Sequence, residues 1–283
     1  MIYGPMVKVV AENTQPLYAT RCSLGYTFAS FFGSPIAGLV AAAVAWQGVF
    51  TAGSISLVLM GILCFTSFTV FEKRKLIKYN QYKTAEKNQG AIKTLINRGI
   101  IKFSLISIVT GIVRTTVVFW LPTYISQYLG FSAEKSSLIF TVCTFFVSAS
   151  AFIAIFCYER IFKYNIHTST FGMFITSAVA FLGVFLIRQT AVNILLITLA
   201  IIFSNCAATL LFSVYCPSLR DTGFVSSATG YLDFISYMAA SFSSTLFANS
   251  VNAIGWNGLI LIWFGIMLFG VAISIPFKKL KQT

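Results

Sequence analysis

The stretch from Ala191 to Tyr215, AVNILLITLAIIFSNCAATLLFSVY, carries no charged side chain. At 1.5 Å rise per residue it makes a helix of ~37 Å, longer than the ~30 Å hydrocarbon core of a bilayer. Runs of the same kind cover 23–45, 48–71, 103–121, 136–158, 168–187, 226–248 and 254–276. With 191–215 they predict an all-α membrane protein of about eight transmembrane helices. Composition leaves little else open: 57% of residues are hydrophobic and only 10% charged, and the mean hydropathy is +0.84. A single water-soluble core cannot accommodate such a chain beneath a polar surface. A transmembrane β-barrel needs alternating strands of ~10 residues, and no such alternation is present.

The formal net charge of +13 raises nucleic acid as a partner, but the basic residues sit in short segments between apolar runs rather than along one polar face, so that class is excluded. All the Lys and Arg except Arg114, Lys135 and Arg188 fall on one side of the predicted topology. Positive charge resists translocation in short loops, which places that side, with both termini, in the cytoplasm of an inner or plasma membrane. Segment 72–102 is the one long basic loop, carrying Lys73, Arg74, Lys75, Lys78, Lys83, Lys87, Lys93, Arg98 and Lys102 against Glu72 and Glu86. It fixes orientation and could touch anionic headgroups. Trp120, Tyr124 and Tyr128 cluster where the third span ends, as interfacial anchors do. Residues 1–21 are too short and too polar after Val10 for a signal peptide. Cys22, Cys64, Cys143, Cys157, Cys206 and Cys216 show no CxxC spacing and read as small buried residues, with neither a disulfide framework nor a metal site. No cofactor is expected.

An internal repeat organises the chain. Gly25-Tyr26, an apolar helix and Trp46-Gln47-Gly48 correspond to Gly230-Tyr231, an apolar helix and Trp256-Asn257-Gly258. Small residues recur at every fourth position in both helices, as Gly25, Ala29, Gly33, Ala37, Ala41 and Ala45 and as Ser236, Ala240, Ser244 and Ala248, and each stripe predicts a close helix contact. A parallel repeat split by a basic loop is the layout of transporters built from two six-helix halves. Three regions result: 1–71, the last two helices of a first half; 72–102, a basic central loop; and 103–283, a six-helix second half.

With these features the sequence resembles the major facilitator superfamily. The run Arg114-Thr115-Thr116-Val117-Val118-Phe119-Trp120-Leu121-Pro122-Thr123-Tyr124, followed by Ser136-Ser137, is similar to the seventh helix of the organophosphate:phosphate antiporter family. Similarity extends through Tyr3-Gly4-Pro5, the Gly25–Phe50 stretch and Ser227–Gly258. The resemblance implies a helical bundle working by alternating access, a small organic anion such as a phosphate ester as substrate, and Arg114 as the phosphate-binding residue. It also implies that the first helices of the usual bundle, including one that supplies a second Arg, are missing, or come from a partner chain, and that the sequence is an N-terminally truncated copy.

The residues themselves point to the same place. Arg114 lies ~17 Å into its span, near the middle of the bilayer, where charge costs several kcal/mol unless it faces a wet cavity or a partner. Asp233 is the one carboxylate inside a predicted span and sits ~12 Å from the same side. It is a possible ion-pair partner for Arg114 or a proton carrier, and the glycerol-3-phosphate carrier has no acid at the matching position. Asn205 reaches a similar depth and could bond substrate or a neighbouring helix. Tyr231 and Tyr237 flank Asp233 and could line a cavity or face lipid. His167 is read as a loop residue. No HExxH, no GxSxG and no second buried acid is present, so the chain is not expected to be an enzyme. Two rival readings remain: a proton-coupled symporter of another solute using Asp233, and a degenerate fragment that transports nothing.

Overall fold

A computed structural model describes residues 3–44, 46–74 and 91–275. Lys75, Lys78, Lys83, Glu86, Lys87, Lys278, Lys279 and Lys281 lie outside the described residues. Every regular element among the described residues is helical. In a hydrocarbon solvent each backbone N–H and C=O has to be paired within the chain, and a helix pairs them within a single segment.

The elements are α1 (Tyr3–Asn13), α2 (Pro16–Ala43), α3 (Trp46–Lys73) and α4 (Ala91–Asn97), then α5 (Ile100–Gln127), α6 (Ala133–Ile161), α7 (Ile166–Leu186), α8 (Thr190–Thr222) and α9 (Val225–Ser274). Among the described residues α3, α5, α6, α7, α8 and α9 are long and apolar enough to cross a membrane. The last is two helices, 225–254 and 256–274, meeting at Gly255 with φ 67° and ψ 178°, a backbone region that essentially only glycine occupies. Most of the expected first span, 23–45, lies in the 28-residue α2, which is not among the six. Several helices outrun the expected spans: 103–121 becomes Ile100–Gln127 and 191–215 becomes Thr190–Thr222. The reason is polar ends that are helical too, with α4 and the start of α5 occupying part of the predicted 72–102 loop.

From α5 onward successive helices run antiparallel, so that part of the bundle has a basic end and an opposite end. At the basic end the Lys102 ammonium donates to the main-chain oxygens of Ser274 (3.4 Å) and Ile275 (3.2 Å), closing the C-terminus of α9, where carbonyls lack helical partners. There too Arg98 pairs with Asp221, and Phe103 stacks on Tyr215 at 3.7 Å. His167, expected in a loop, lies in the first turn of α7 with its ring 5.9 Å from Phe103. Asn165 makes this possible by accepting the His167 and Thr168 N–H groups, so that the helix starts before the histidine. At the opposite end Tyr124 donates to Asn193, Tyr128 donates to Asn257 at 2.7 Å, and Trp120 meets Trp256 edge-on. These three aromatic residues are packing groups between helices rather than lipid-facing anchors: Tyr124 is wholly buried.

Helices α5 to α9 form the densely packed core, around Trp263, Phe174, Phe181, Ile197 and Ile201. Onto it lean α2, against α6, and α1, against the start of α9. The packing partner of α3 is α2, and Leu57, Phe65 and Phe68 stand exposed along it. The two small-residue stripes behave differently. Ser236 and Ala240 of α9 are buried, and the backbones close so tightly there that a Cβ on Gly111 of α5 would lie 2.5 Å from the Ser236 carbonyl oxygen. Ser107 Oγ donates to the Leu232 carbonyl (2.7 Å) one turn away. On α2 the expected close contact is not made among the described residues. Gly25, Ala29, Gly33 and Ala37 are exposed, and a Cβ at Gly25 or Gly33 would meet nothing within 4 Å. The contacts of α2 come from another face, through Phe28 on Phe152 and Phe32 on Phe145 and Thr27 on Ser213.

The α5–α9 crossing generates a stability prediction. Gly111→Ala forces the two backbones apart and should cost about 1–3 kcal/mol, as overpacking does. Thermal challenge of the detergent-solubilised protein, followed by size-exclusion chromatography, should show an apparent melting temperature several degrees lower. Ser236→Ala should not restore it, because the obstructing carbonyl oxygen remains. Gly53→Ala on α3, where a Cβ meets nothing, should leave the melting temperature unchanged or slightly raised.

Candidate functional site

Arg114 sits in the one irregular turn of α5. Residues Val113–Val117 form a π-turn, which adds a residue to the turn and re-aims the side chains beyond it, a device common at functional sites. Counted from Ile100, Arg114 is ~21 Å along a helix of ~42 Å, deeper than the sequence estimate because the helix begins three residues sooner. Its guanidinium lies 5.7 Å from the centre of the Tyr237 ring, within cation–π range.

The guanidinium borders a cavity of about 440 Å³ built by α2, α5, α6, α8 and α9. Its polar wall comprises Arg114 and Thr115 from α5, Ser30 and Ser34 from α2, Thr144 from α6 and Asn205 from α8. Phe31, Phe119, Phe140 and Tyr237 form the aromatic wall. Asp, Glu, His and Cys are absent from the described lining. Two prolines bring backbone to the same space. Pro122 lines it directly, and with no N–H it leaves the Val118 carbonyl without its usual helical donor; Pro35 does the same to the Phe31 carbonyl. Both Val118 and Phe31 line the cavity. A volume of this size lies within the range of small-molecule sites.

Three of the five residues singled out in the sequence therefore converge: Arg114, Asn205 and Tyr237. Asp233 does not line the cavity, and no hydrogen bond or ion pair of 4 Å or less involves it among the described residues. Counted from Val225, its Cα is ~12 Å along α9, whereas Arg114 is ~21 Å along α5, an offset of ~9 Å across which no direct pair is made. Tyr237, one turn further along α9 than Asp233, reaches the right level and takes the place beside Arg114. Tyr231 is 49% exposed and outside the cavity. It is six residues from Tyr237, which at 3.6 residues per turn puts the two on different faces. Ser30, Ser34, Thr115 and Thr144 were not singled out in the sequence. Small hydroxyl residues are common in membrane helices as packing groups, and nothing in their spacing marks these four.

Comparison with known proteins matches residues 5–244 to the Major Facilitator Superfamily. No curated protein matches the sequence. Among solved structures, the fold is similar to that of a bacterial homologue of the iron transporter ferroportin in its outward-facing state, with a TM-score of 0.64 at 15% identity over 94% of this chain. A crystal structure of such a homologue in the same state with soaked iron gives 0.64 at 15% identity over 93%. At that identity the likeness is one of fold, and this chain spans 65% and 64% of the length of those two chains. A family match over most of the sequence, on an all-helical chain with several membrane-length helices, identifies this protein as a multi-pass membrane protein of the Major Facilitator Superfamily.

Proposed function

We propose that the chain is a secondary transporter that moves a small organic anion by alternating access, with Arg114 as the anion-binding group. The observation that carries this reading is a single guanidinium at mid-helix on a cavity with no acid in its described lining. A charge at that depth costs several kcal/mol in lipid. A wet cavity relieves the cost, and an oxyanion uses the charge, because the planar guanidinium donates two parallel hydrogen bonds to a carboxylate or phosphate. Tyr237 holds the guanidinium through its ring without neutralising it. In the finer form of the proposal the anion is a phosphate ester exchanged for phosphate; the run from Arg114 to Tyr124 and its likeness to the organophosphate:phosphate antiporters support that choice.

The similar solved structures are described as homologues of an iron transporter, which makes a divalent cation the obvious competitor. A cation entering this cavity would meet the positive charge of Arg114 and, in the described lining, none of the carboxylate, imidazole or thiolate ligands that bind iron. The charge of the wall favours an anion. The half comprising α5 to α9 would rock against the element formed by α1 to α3, with the basic end cytoplasmic by the distribution of Lys and Arg.

One observation favours a second reading. The Asp233 carboxylate is half-buried and has no ion-pair partner among the described residues, so it is free to take up a proton as the carrier of a proton-coupled symporter.

Uptake of labelled glycerol 3-phosphate into phosphate-loaded proteoliposomes tests the anion reading. Arg114→Ala should weaken uptake at least about tenfold, the scale of a lost charge-assisted hydrogen bond, and Arg114→Lys should fall between, keeping charge but losing the fork. Wild-type uptake by Arg114→Ala would refute the assignment. For Asp233→Asn, unchanged uptake and unchanged pH dependence are expected of an exchanger. Uptake that is driven by a pH gradient and lost in this variant would instead establish the symporter.

A further inference from the structure

Helix α8 carries two nearly inaccessible asparagines, Asn193 at 1% and Asn205 at 2% exposure, and they differ in one respect. The Asn193 amide is fully employed. Its Nδ2 donates to the carbonyls of Val184 (2.9 Å) and Ile187 (3.1 Å), and its Oδ1 accepts from the Tyr124 hydroxyl. That is an asparagine tying three helices together. The Asn205 side chain makes no hydrogen bond among the described residues, and its Oδ1 is enclosed and unpartnered. Leaving such a group without a partner costs about 1–3 kcal/mol, so an amide kept at this position without a structural bond is expected to have a partner that comes and goes. Asn205 borders the Arg114 cavity, which is where such a partner arrives.

We infer that Asn205 is a specificity-determining residue that hydrogen-bonds a hydroxyl group of the transported anion while Arg114 holds the anionic group. The inference rests on the anion reading above. A hydroxyl donates and accepts at once, so it satisfies Oδ1 while taking a hydrogen bond from Nδ2, and it serves whichever way the amide is turned. The second anionic oxygen that a dicarboxylate would offer accepts only and leaves Oδ1 unpaired. A substrate hydroxyl supplies the missing bond, whereas a methylene in its place leaves the amide unpaired. The free hydroxyls of Ser34 and Thr115, which make no hydrogen bond among the described residues, line the same space and extend the polar strip from α5 toward α2. The Phe31, Phe119 and Phe140 rings leave the rest of the wall apolar. Selection therefore falls on the presence of a hydroxyl on the bound anion.

Matched anions test this on the full chain purified in detergent, read as the concentration giving a half-maximal rise in melting temperature. Glycerol 3-phosphate and n-propyl phosphate form one pair, lactate and propionate the other; within each pair the charge is the same, and the second member lacks the two hydroxyls of glycerol 3-phosphate or the one of lactate. In the wild type at least one hydroxylated member should act at a concentration about tenfold or more below its partner. Asn205→Leu should erase that difference by weakening the hydroxylated member alone, whereas Arg114→Lys should weaken both members together. Without any ligand, Asn205→Leu should melt higher than the wild type, since it removes an unsatisfied polar group, and Asn193→Leu should melt lower. Equal action within both pairs, discrimination that survives Asn205→Leu, or an Asn205→Leu protein that melts lower or fails to fold would overturn the role of Asn205 and leave Arg114 as anion receptor untouched. Failure of all four anions to act on the wild type would overturn the anion reading and this inference with it.

Discussion

A solvent that offers no hydrogen bonds is the constraint on which this structure depends. Every helix has to close its own backbone bonds, and each departure from regular helix must be buried in protein or open onto a polar space. Several of the departures gather at one place. The π-turn at Val113–Val117, Pro122 in the same helix, Pro35 in α2 and the break in α6 at Ala149 border one cavity or lie within a few residues of its lining. The π-turns at Cys157–Ile161 and Leu211–Tyr215 and the break at Gly255 lie away from that lining. Beside the guanidinium at mid-helix, the departures open onto a polar space, as the solvent requires.

How much of this was legible in sequence depends on the kind of signal. Helix class and the presence of several membrane-length runs follow from composition and length, because transfer to hydrocarbon is a sum over residues and needs no knowledge of neighbours. Arg114 was legible by isolation, being a charge in an apolar run. Helix ends were less so: Ser132 and Asn165 cap α6 and α7 in segments that hydropathy discards. The cavity hydroxyls were not legible at all. Thr144 bonds the Phe140 carbonyl one turn back, as Thr110 does to Ile106 and Thr209 to Asn205. A threonine satisfied in this way looks the same in sequence whether it faces lipid, a helix or a substrate.

The Arg114–Asp233 expectation shows where arithmetic on separate helices stops. Two residues on neighbouring helices can both count as buried and still miss each other, because a direct ion pair requires N–O distances of about 4 Å. In the structure the aromatic ring one turn further along α9 than Asp233 lies beside the Arg114 guanidinium. A π-system attracts a guanidinium without cancelling its charge.

The two small-residue stripes have unlike surroundings in the structure. Leu57 and Phe65 on α3 are at home against lipid tails, and their exposure needs no partner. Gly25, Ala29, Gly33 and Ala37 on α2 are a different matter, since small residues present little surface to lipid and are favoured where another backbone approaches. On α9 the matching stripe receives α5, close enough for Gly111 to be the only residue that fits against Ser236. Ser30 and Ser34, each one position along from Ala29 and Gly33, border the cavity. The polar strip and the small-residue strip are thus adjacent on one helix, and only the first meets the cavity.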